Sequence, residues 1–264
     1  MRAGAGPAEG RGPGTEDTVR IAIAGGTGTV GRHIVEVARE RGHETVVLAR
    51  SAGVDLTTGA GLAAALAGVD AVVDAANVNA IDRETAERFF TGTSRTLLAA
   101  EREAGVGHHV LLSIVGIDRI PYAYYEAKLA QEGVVEAGGV PYTILRATQF
   151  HEFAGQMAGR LRVAGVQLAA RMRTQPIAAR EVAEHLVALA EGAPRGRARD
   201  LAGPREEQLA ELIRRLVRAE GRRGPVLPVS LPIRGMGEMR RGAALPGPDA
   251  ELGRQTFAEW LADR

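Results

Sequence analysis

Residues 19–42 read "VRIAIAGGTGTVGRHIVEVARERG", and the order of residue types in this stretch decides the fold. "VRIAIA" is a short β-branched and apolar run of the kind that forms a buried strand. "GRHIVEVARERG" has the period of a helix, with Ile34, Val35 and Ala38 on one face and Gly42 at its end. Between the two lies "GGTGTVG", residues 25–31. Gly26, Gly28 and Gly31 fit G-x-G-x-x-G, whereas Gly25, Gly28 and Gly31 fit the wider G-x-x-G-x-x-G. Both spacings carry the same physics. An early glycine turns the chain tightly, Gly28 lets backbone approach a pyrophosphate, and Gly31 lets helix and strand pack closely. The anion then rests on the helix N-terminus. Strand, glycine loop and helix in this order predict a dinucleotide-binding unit.

Outward from this unit the same rhythm repeats. "ETVVLAR" is a second strand, "GLAAALAG" a short helix and "VDAVVDAAN" a third strand. A helix over 83–105 leads into "HVLLSIVG", and a helix over 123–138 leads into "VPYTILRAT". Strands alternating with helices predict an α/β fold, a Rossmann-type doubly wound parallel sheet. After Gln149 come the amphipathic segments "REVAEHLVALAEG" and "EEQLAELIRRLVRAEG", a strand in "PVLPVSLP", and stretches broken by Pro and Gly. The expected organisation is a flexible Gly- and Pro-rich tail at 1–18, an NADP-binding core at 19–150, and a part at 151–264. That last part should complete the sheet and form the substrate pocket as one unit with the core. Leu209, Leu212, Ile213 and Leu216 should face inward, and Phe257 and Trp260 should anchor the C-terminus.

Composition excludes several classes. The 264 residues carry a formal net charge of +1 with acids and bases interleaved, so no nucleic-acid surface is expected. No run is apolar enough for a membrane span or a signal peptide, which makes the expected compartment cytoplasmic. Without cysteine there is no disulfide, thiolate nucleophile or sulfur-ligated metal. His108 and His109 are neighbours before a strand and face opposite ways, and no carboxylate pair has ligand spacing, so no metal is expected.

The second strand ends in Arg50, where NAD-binding versions of this unit place an acid on the ribose 2′-hydroxyl. A guanidinium suits a 2′-phosphate, so NADP(H) is the expected cofactor. Its contacts are expected from Gly25, Thr27, Gly28, Thr29, Val30 and Gly31 in the loop, Arg50 and Ser51 after strand two, and Asp55 and Leu56 near the adenine. Ala75, Ala76 and Asn77 after strand three, with Lys128 and Thr148, complete the set.

"AYYEAKLAQEG", residues 123–133, holds the only lysine of a chain that otherwise uses arginine. On a helix Tyr124 and Lys128 stand four apart on one face, while Tyr125 points about a quarter-turn away. A phenol with its reference pKa of ~10 exchanges protons near neutrality when a cation lowers that value, and an ammonium is a compact point charge suited to this. Ser113, at the end of strand four, is placed to orient a carbonyl beside the tyrosine. "RATQFHEF" follows strand five and places Phe150 and His151 as substrate contacts.

"GGTGTVG", "LLSIVGIDR", "YYEAKLAQE", "LRATQFHEF" and "QPIAAREVAEHL" together resemble the short-chain dehydrogenase/reductase superfamily, specifically its atypical NmrA-like branch. The resemblance implies a Rossmann core, NADP(H), and Ser113, Tyr124 and Lys128 as a catalytic trio. The expected activity is an NADPH-dependent oxidoreductase acting on a carbonyl or quinone-like, hydrophobic small molecule, in a monomer or homodimer. Two alternatives stand beside it: a non-redox epimerase, dehydratase or rearrangement, and an NADP-binding redox sensor without turnover.

Overall fold

Ile21 and Ile23 face one side of the first strand, and Ala22 and Ala24 face the other; all four are fully buried. A strand apolar on both faces needs helices above and below it, and that requirement shapes the architecture. The computed structural model describes residues 18–264 except 79–81, 161, 164 and 223, so the expected tail lies outside the described residues apart from Thr18.

In chain order the core elements are β1 (Arg20–Ala24), α1 (Thr29–Glu40), β2 (Glu44–Leu48), α2 (Leu62–Ala65), β3 (Ala71–Asp74), α3 (Arg83–Ala104), β4 (His108–Ile114), α4 (Ala123–Glu136) and β5 (Tyr142–Ala147). There follow α5 (Phe153–Ala158), β6 (Arg162–Val163), β7 (Val166–Ala170), β8 (Arg173–Thr174), α6 (Ala179–Glu191), β9 (Gly196–Arg197), β10 (Leu201–Ala202) and β11 (Glu207–Gln208). The chain closes with α7 (Leu209–Ala219), β12 (Val226–Val229), α8 (Met236–Arg240), β13 (Glu251–Leu252) and α9 (Phe257–Ala262).

The central sheet has the order β13-β10-β5-β4-β3-β1-β2, with β9 also pairing with β5, and its pairings are parallel. Helices α1 and α6 cover one face: Ile34, Val182 and Leu186 pack on Ile21, Ile23 and Val73. Helices α2 and α3 cover the other, with Leu62, Leu66 and Leu97 on Ala22, Ala24 and Val72. Each large aliphatic side chain taken fully out of water contributes roughly 1.5–3 kcal/mol. The fold class is thus the expected doubly wound α/β sheet.

From β1 the chain steps to β2 on one side, and β3 lies on the other, so the strand order reverses at β1. The crevice at the carboxyl ends of β1 and β3 is therefore the ligand position such sheets provide. After β5 a second apolar cluster forms, in which Ile117, Ile120 and Tyr125 meet Ile213, Leu216, Met239 and Phe257. Leu209, Leu212, Ile213 and Leu216 are buried as the helical period required. The two-residue strands β6, β8, β9, β10, β11 and β13 were not legible, because two residues have no period. Among the described residues no helix is long and apolar enough to cross a membrane.

At the far end of the sheet from the crevice, the Nδ1 of His109 lies 2.9 Å from Glu101 Oε1, with both side chains fully buried. Burial opposes the charged ring, but the Glu101 carboxylate outweighs it and the His109 pKa is raised. The pair's stabilisation is therefore complete below the ordinary histidine value of ~6.5 and is lost as pH rises through the raised folded value. Thermal unfolding should show Tm falling from about pH 6.5 toward alkaline pH, with Glu101→Gln flattening that slope. Parallel profiles for the two proteins would contradict the assignment.

Candidate dinucleotide and proton-transfer site

The glycine loop settles which spacing matters. Gly25 has φ of 75°, and a Cβ there would stand 2.6 Å from the Ala75 carbonyl oxygen. Gly26 has no such backbone angle, and its added Cβ would meet the Val47 side chain first. A Cβ on Gly31 would overlap the Gly25 carbonyl. Gly25 and Gly31, the outer glycines of the wider spacing, are thus the two that the backbone requires. Gly28 donates its N–H to the Gly25 carbonyl at 2.9 Å and forms the N-cap of α1. No side chain caps this helix and its first turn has no acid, so its leading N–H groups keep their capacity for an anion. These features fit the pyrophosphate of a dinucleotide. Thr27 and Gly28 are exposed and Thr29 is half-buried, whereas Val30 points into the core.

Arg50 and Ser51 lie exposed in a short 3₁₀ turn (Arg50–Ala52) directly after β2. The Arg50 carbonyl accepts the Gly53 N–H at 3.1 Å, and its guanidinium makes no hydrogen bond or ion pair with another described residue. Asp55 accepts from the Thr57 N–H at 2.8 Å and the Thr57 hydroxyl at 2.5 Å, which hold its pKa low. Its carboxylate is committed to its own loop, and Leu56 packs half-buried against the α2 and α3 side of the core. Beyond β3, Ala75 and Ala76 abut Gly25 and Asn77 is exposed at the rim.

The Tyr124 hydroxyl donates to Asn77 Oδ1 at 2.7 Å, and its ring stands edge-on to Phe90 at 5.4 Å between centroids. Burial, with smaller effects from Tyr125 and Tyr122, raises its pKa above the ordinary phenol value, and the Asn77 bond only partly opposes this. Lys128 donates to the Leu112 carbonyl at 2.8 Å and to Gln131 Oε1 at 2.5 Å, and lies 4.9 Å from the centre of the Phe90 ring. Burial pushes its pKa down to about 8, against Asp74 and Glu132. Ser113 donates to Glu132 Oε1 at 2.5 Å, and Glu132 also takes Arg146 at 2.8 Å and Arg197 at 3.0 Å.

These contacts correct the expected convergence of the trio. Ser113 faces α4 from inside the sheet, two helical turns beyond Tyr124, and its proton is spent on Glu132. Lys128 turns toward β4. The phenol's pKa moves up, so the expected lowering by Lys128 is not what this arrangement produces. Tyr125 points instead into the C-terminal cluster, where its oxygen accepts from Gln149 Nε2 at 3.2 Å and burial raises it to about 12.

The residues after β5 also depart from expectation. Thr148 is buried and donates to the Gln175 carbonyl at 2.6 Å. Phe150 packs against the central core and bridges Ile177 through its backbone. His151 is fully buried, with Nε2 3.1 Å from the Gln255 carbonyl and its ring among Phe257 and Trp260. Burial pushes its pKa down, so it serves as a neutral peg for the C-terminal helix rather than a wall of an open pocket. The polar layer of Asp74, Ser94 and Gln131 was not singled out from sequence. Its signal was an acid closing an apolar strand and a glutamine three residues after the lone lysine.

A family profile described as NAD(P)H-binding matches residues 25–192. The chain belongs to this family. It is 30% identical over 156 residues to photosystem II assembly factor Ycf39 of Synechocystis sp., across 53% of this chain and 48% of that protein. The match to Ycf39 of Trieres chinensis covers 50% and 46%, so the chain spans about half the length of the curated relatives it matches. Among solved structures, the NADPH-dependent quinone oxidoreductase QOR2 of Escherichia coli, complexed with NADPH, superposes with a TM-score of 0.66 at 17% identity, covering 92% of this chain and 99% of that one. A nucleoside-diphosphate-sugar epimerase from Staphylococcus aureus gives 0.66 at 18% identity, with the same coverage. At such identities the likeness is one of fold.

Because a Cβ on Gly31 meets backbone that cannot rotate away, Gly31→Ala should destabilise the protein by about 1–3 kcal/mol and weaken dinucleotide binding more than ten-fold. Tm and fluorescence titration with NADPH check this; an unchanged affinity would refute the cradle.

Proposed function

We propose that this NAD(P)H-binding protein is an NADPH-dependent reductase of a carbonyl or quinone-like small molecule, with Tyr124 as the proton donor. The carrying observation is the 2.7 Å bond from the Tyr124 hydroxyl to Asn77, at the turn whose Ala75 touches the glycine loop. This puts a phenol proton at the rim of the crevice. Burial holds the phenol in its protonated form, the form a proton donor starts from, while making it a weaker acid than a free phenol. In the proposed reduction the substrate oxygen takes up this proton.

The loop N–H groups after Gly28 would hold the pyrophosphate, and Arg50 would take the 2′-phosphate that distinguishes NADP. When bound, the dinucleotide supplies the hydride. Tyr124 gives its proton to the substrate oxygen, and Asn77 keeps the hydroxyl aimed at the crevice until substrate replaces it. Lys128 holds β4 and α4 together beneath the tyrosine, and Ser113 braces Glu132 rather than aligning substrate. The apolar cluster containing Ile120, Tyr122 and Met236, to which the part at 151–264 contributes, forms the substrate side and favours a hydrophobic molecule. The internal engagement of Ser113 and Lys128 favours a second reading, tight dinucleotide binding with a non-redox reaction or with no turnover, which predicts no net NADPH consumption.

Tyr124→Phe should lower kcat for NADPH oxidation by about a hundred-fold or more, with NADPH affinity held within about two-fold. A wild-type rate would remove Tyr124 from the chemistry. Arg50→Glu should weaken NADPH about ten-fold or more and leave NADH nearly unchanged, as followed by nicotinamide fluorescence. Equal losses for both cofactors would reject the 2′-phosphate assignment.

A further inference from the structure

Asp74 closes β3 with its carboxylate 1% exposed, a costly place for a charge unless it is bonded and balanced. Its Oδ1 accepts the Ala76 N–H at 3.0 Å, and its Oδ2 accepts Gln131 Nε2 at 3.1 Å and the Ser94 hydroxyl at 3.4 Å. The Gln131 amide has one donor end and one acceptor end. With Nε2 committed to Asp74 and, at 2.9 Å, to Ser94, the Oε1 end is left facing the Lys128 ammonium. A carboxylate and an ammonium are thus joined through a single amide whose polarity the carboxylate dictates.

The other charged groups near Lys128 are already balanced. Glu132, on the same helix, is bound by Arg146 and Arg197, while His109 on β4 and Glu101 on α3 hold each other. Asp74 has no cation among its hydrogen-bond partners, and its charge acts on Lys128 and also on His109. The same carboxylate also shapes the turn of Ala75 to Asn77, which abuts the glycine loop and receives the Tyr124 proton.

We propose that Asp74 is the positioning residue of the site. Acting through Gln131 it fixes the Lys128 ammonium on the Leu112 carbonyl, and acting through the Ala76 N–H it fixes the turn that presents Asn77 to Tyr124. The catalytic meaning of this arrangement rests on the reductase reading above, but the positioning itself does not. Asp74 opposes the burial that depresses Lys128. Loss of the carboxylate charge therefore moves the lysine further down.

The lone lysine makes this directly measurable, since protein labelled in lysine with ¹³C and ¹⁵N gives one side-chain resonance to titrate, without cofactor or substrate. Asp74→Asn keeps an oxygen for Ala76 but removes the charge and the demand on the amide. The Lys128 midpoint should fall by about one unit or more, and the pH profile of NADPH oxidation should move the same way. Gln131→Met keeps the carboxylate and breaks the relay, should also lower the midpoint, and carries the test if Asp74→Asn does not fold. Midpoints within about 0.3 unit of wild type in every folded variant would overturn the proposal. A shifted lysine in a protein whose wild type never oxidises NADPH would uphold Asp74 and sink the reductase reading instead.

Discussion

Gly25 can press against the Ala75 carbonyl only because it has no side chain and adopts a left-handed backbone angle. That approach brings the loop after β1 and the turn after β3 together at the place where the strand order reverses. From it follow the uncapped start of α1, the position of Asn77, and the contact through which Tyr124 reaches the rim. A methyl group at Gly25 would part the two segments, and one at Gly31 would push α1 off the loop, so either would cost the crevice its floor.

Beneath this rim lies a polar layer between the sheet and helices α3 and α4. Buried charge is tolerated there because each group has a partner: Glu132 with two arginines and Ser113, Glu101 with His109, Asp74 with Gln131, Ser94 and a backbone N–H. An arginine could not replace Lys128 in this setting. The ammonium fits between a carbonyl, an amide oxygen and an aromatic face, whereas a planar guanidinium needs a flatter and wider set of acceptors. This explains in physical terms why one lysine persists in an arginine-using chain, and the answer differs from the expected one: Lys128 serves the scaffold under the tyrosine first.

The fold was legible because its signals are local. A short apolar, β-branched run in β1, a period near 3.6 in α1 and the glycines between them leave little freedom, and the helices expected from sequence ran within a few residues of their bounds. The site was legible in part. That Tyr124 and Lys128 share a face of α4, both meeting Phe90, followed from helix geometry, but the orientation of Ser113 and Lys128 depended on Glu132, Gln131 and Asp74. The contacts of Glu132 with Ser113 and of Gln131 with Asp74 run between α4 and the sheet, and spacing along the chain does not report them. His151 was misplaced for the same reason: its partners Gln255, Phe257 and Trp260 lie more than a hundred residues later.

The central claim is that the Tyr124 proton faces a dinucleotide lying in the β1–β3 crevice. A crystal structure with NADPH bound tests it most directly. The account predicts the pyrophosphate on the N–H groups following Gly28, and the Tyr124 hydroxyl within about 3–4 Å of the space above the reactive face of the nicotinamide. A nicotinamide on the far side of the sheet, or a Tyr124 hydroxyl turned away with Asn77 still holding it, would contradict it.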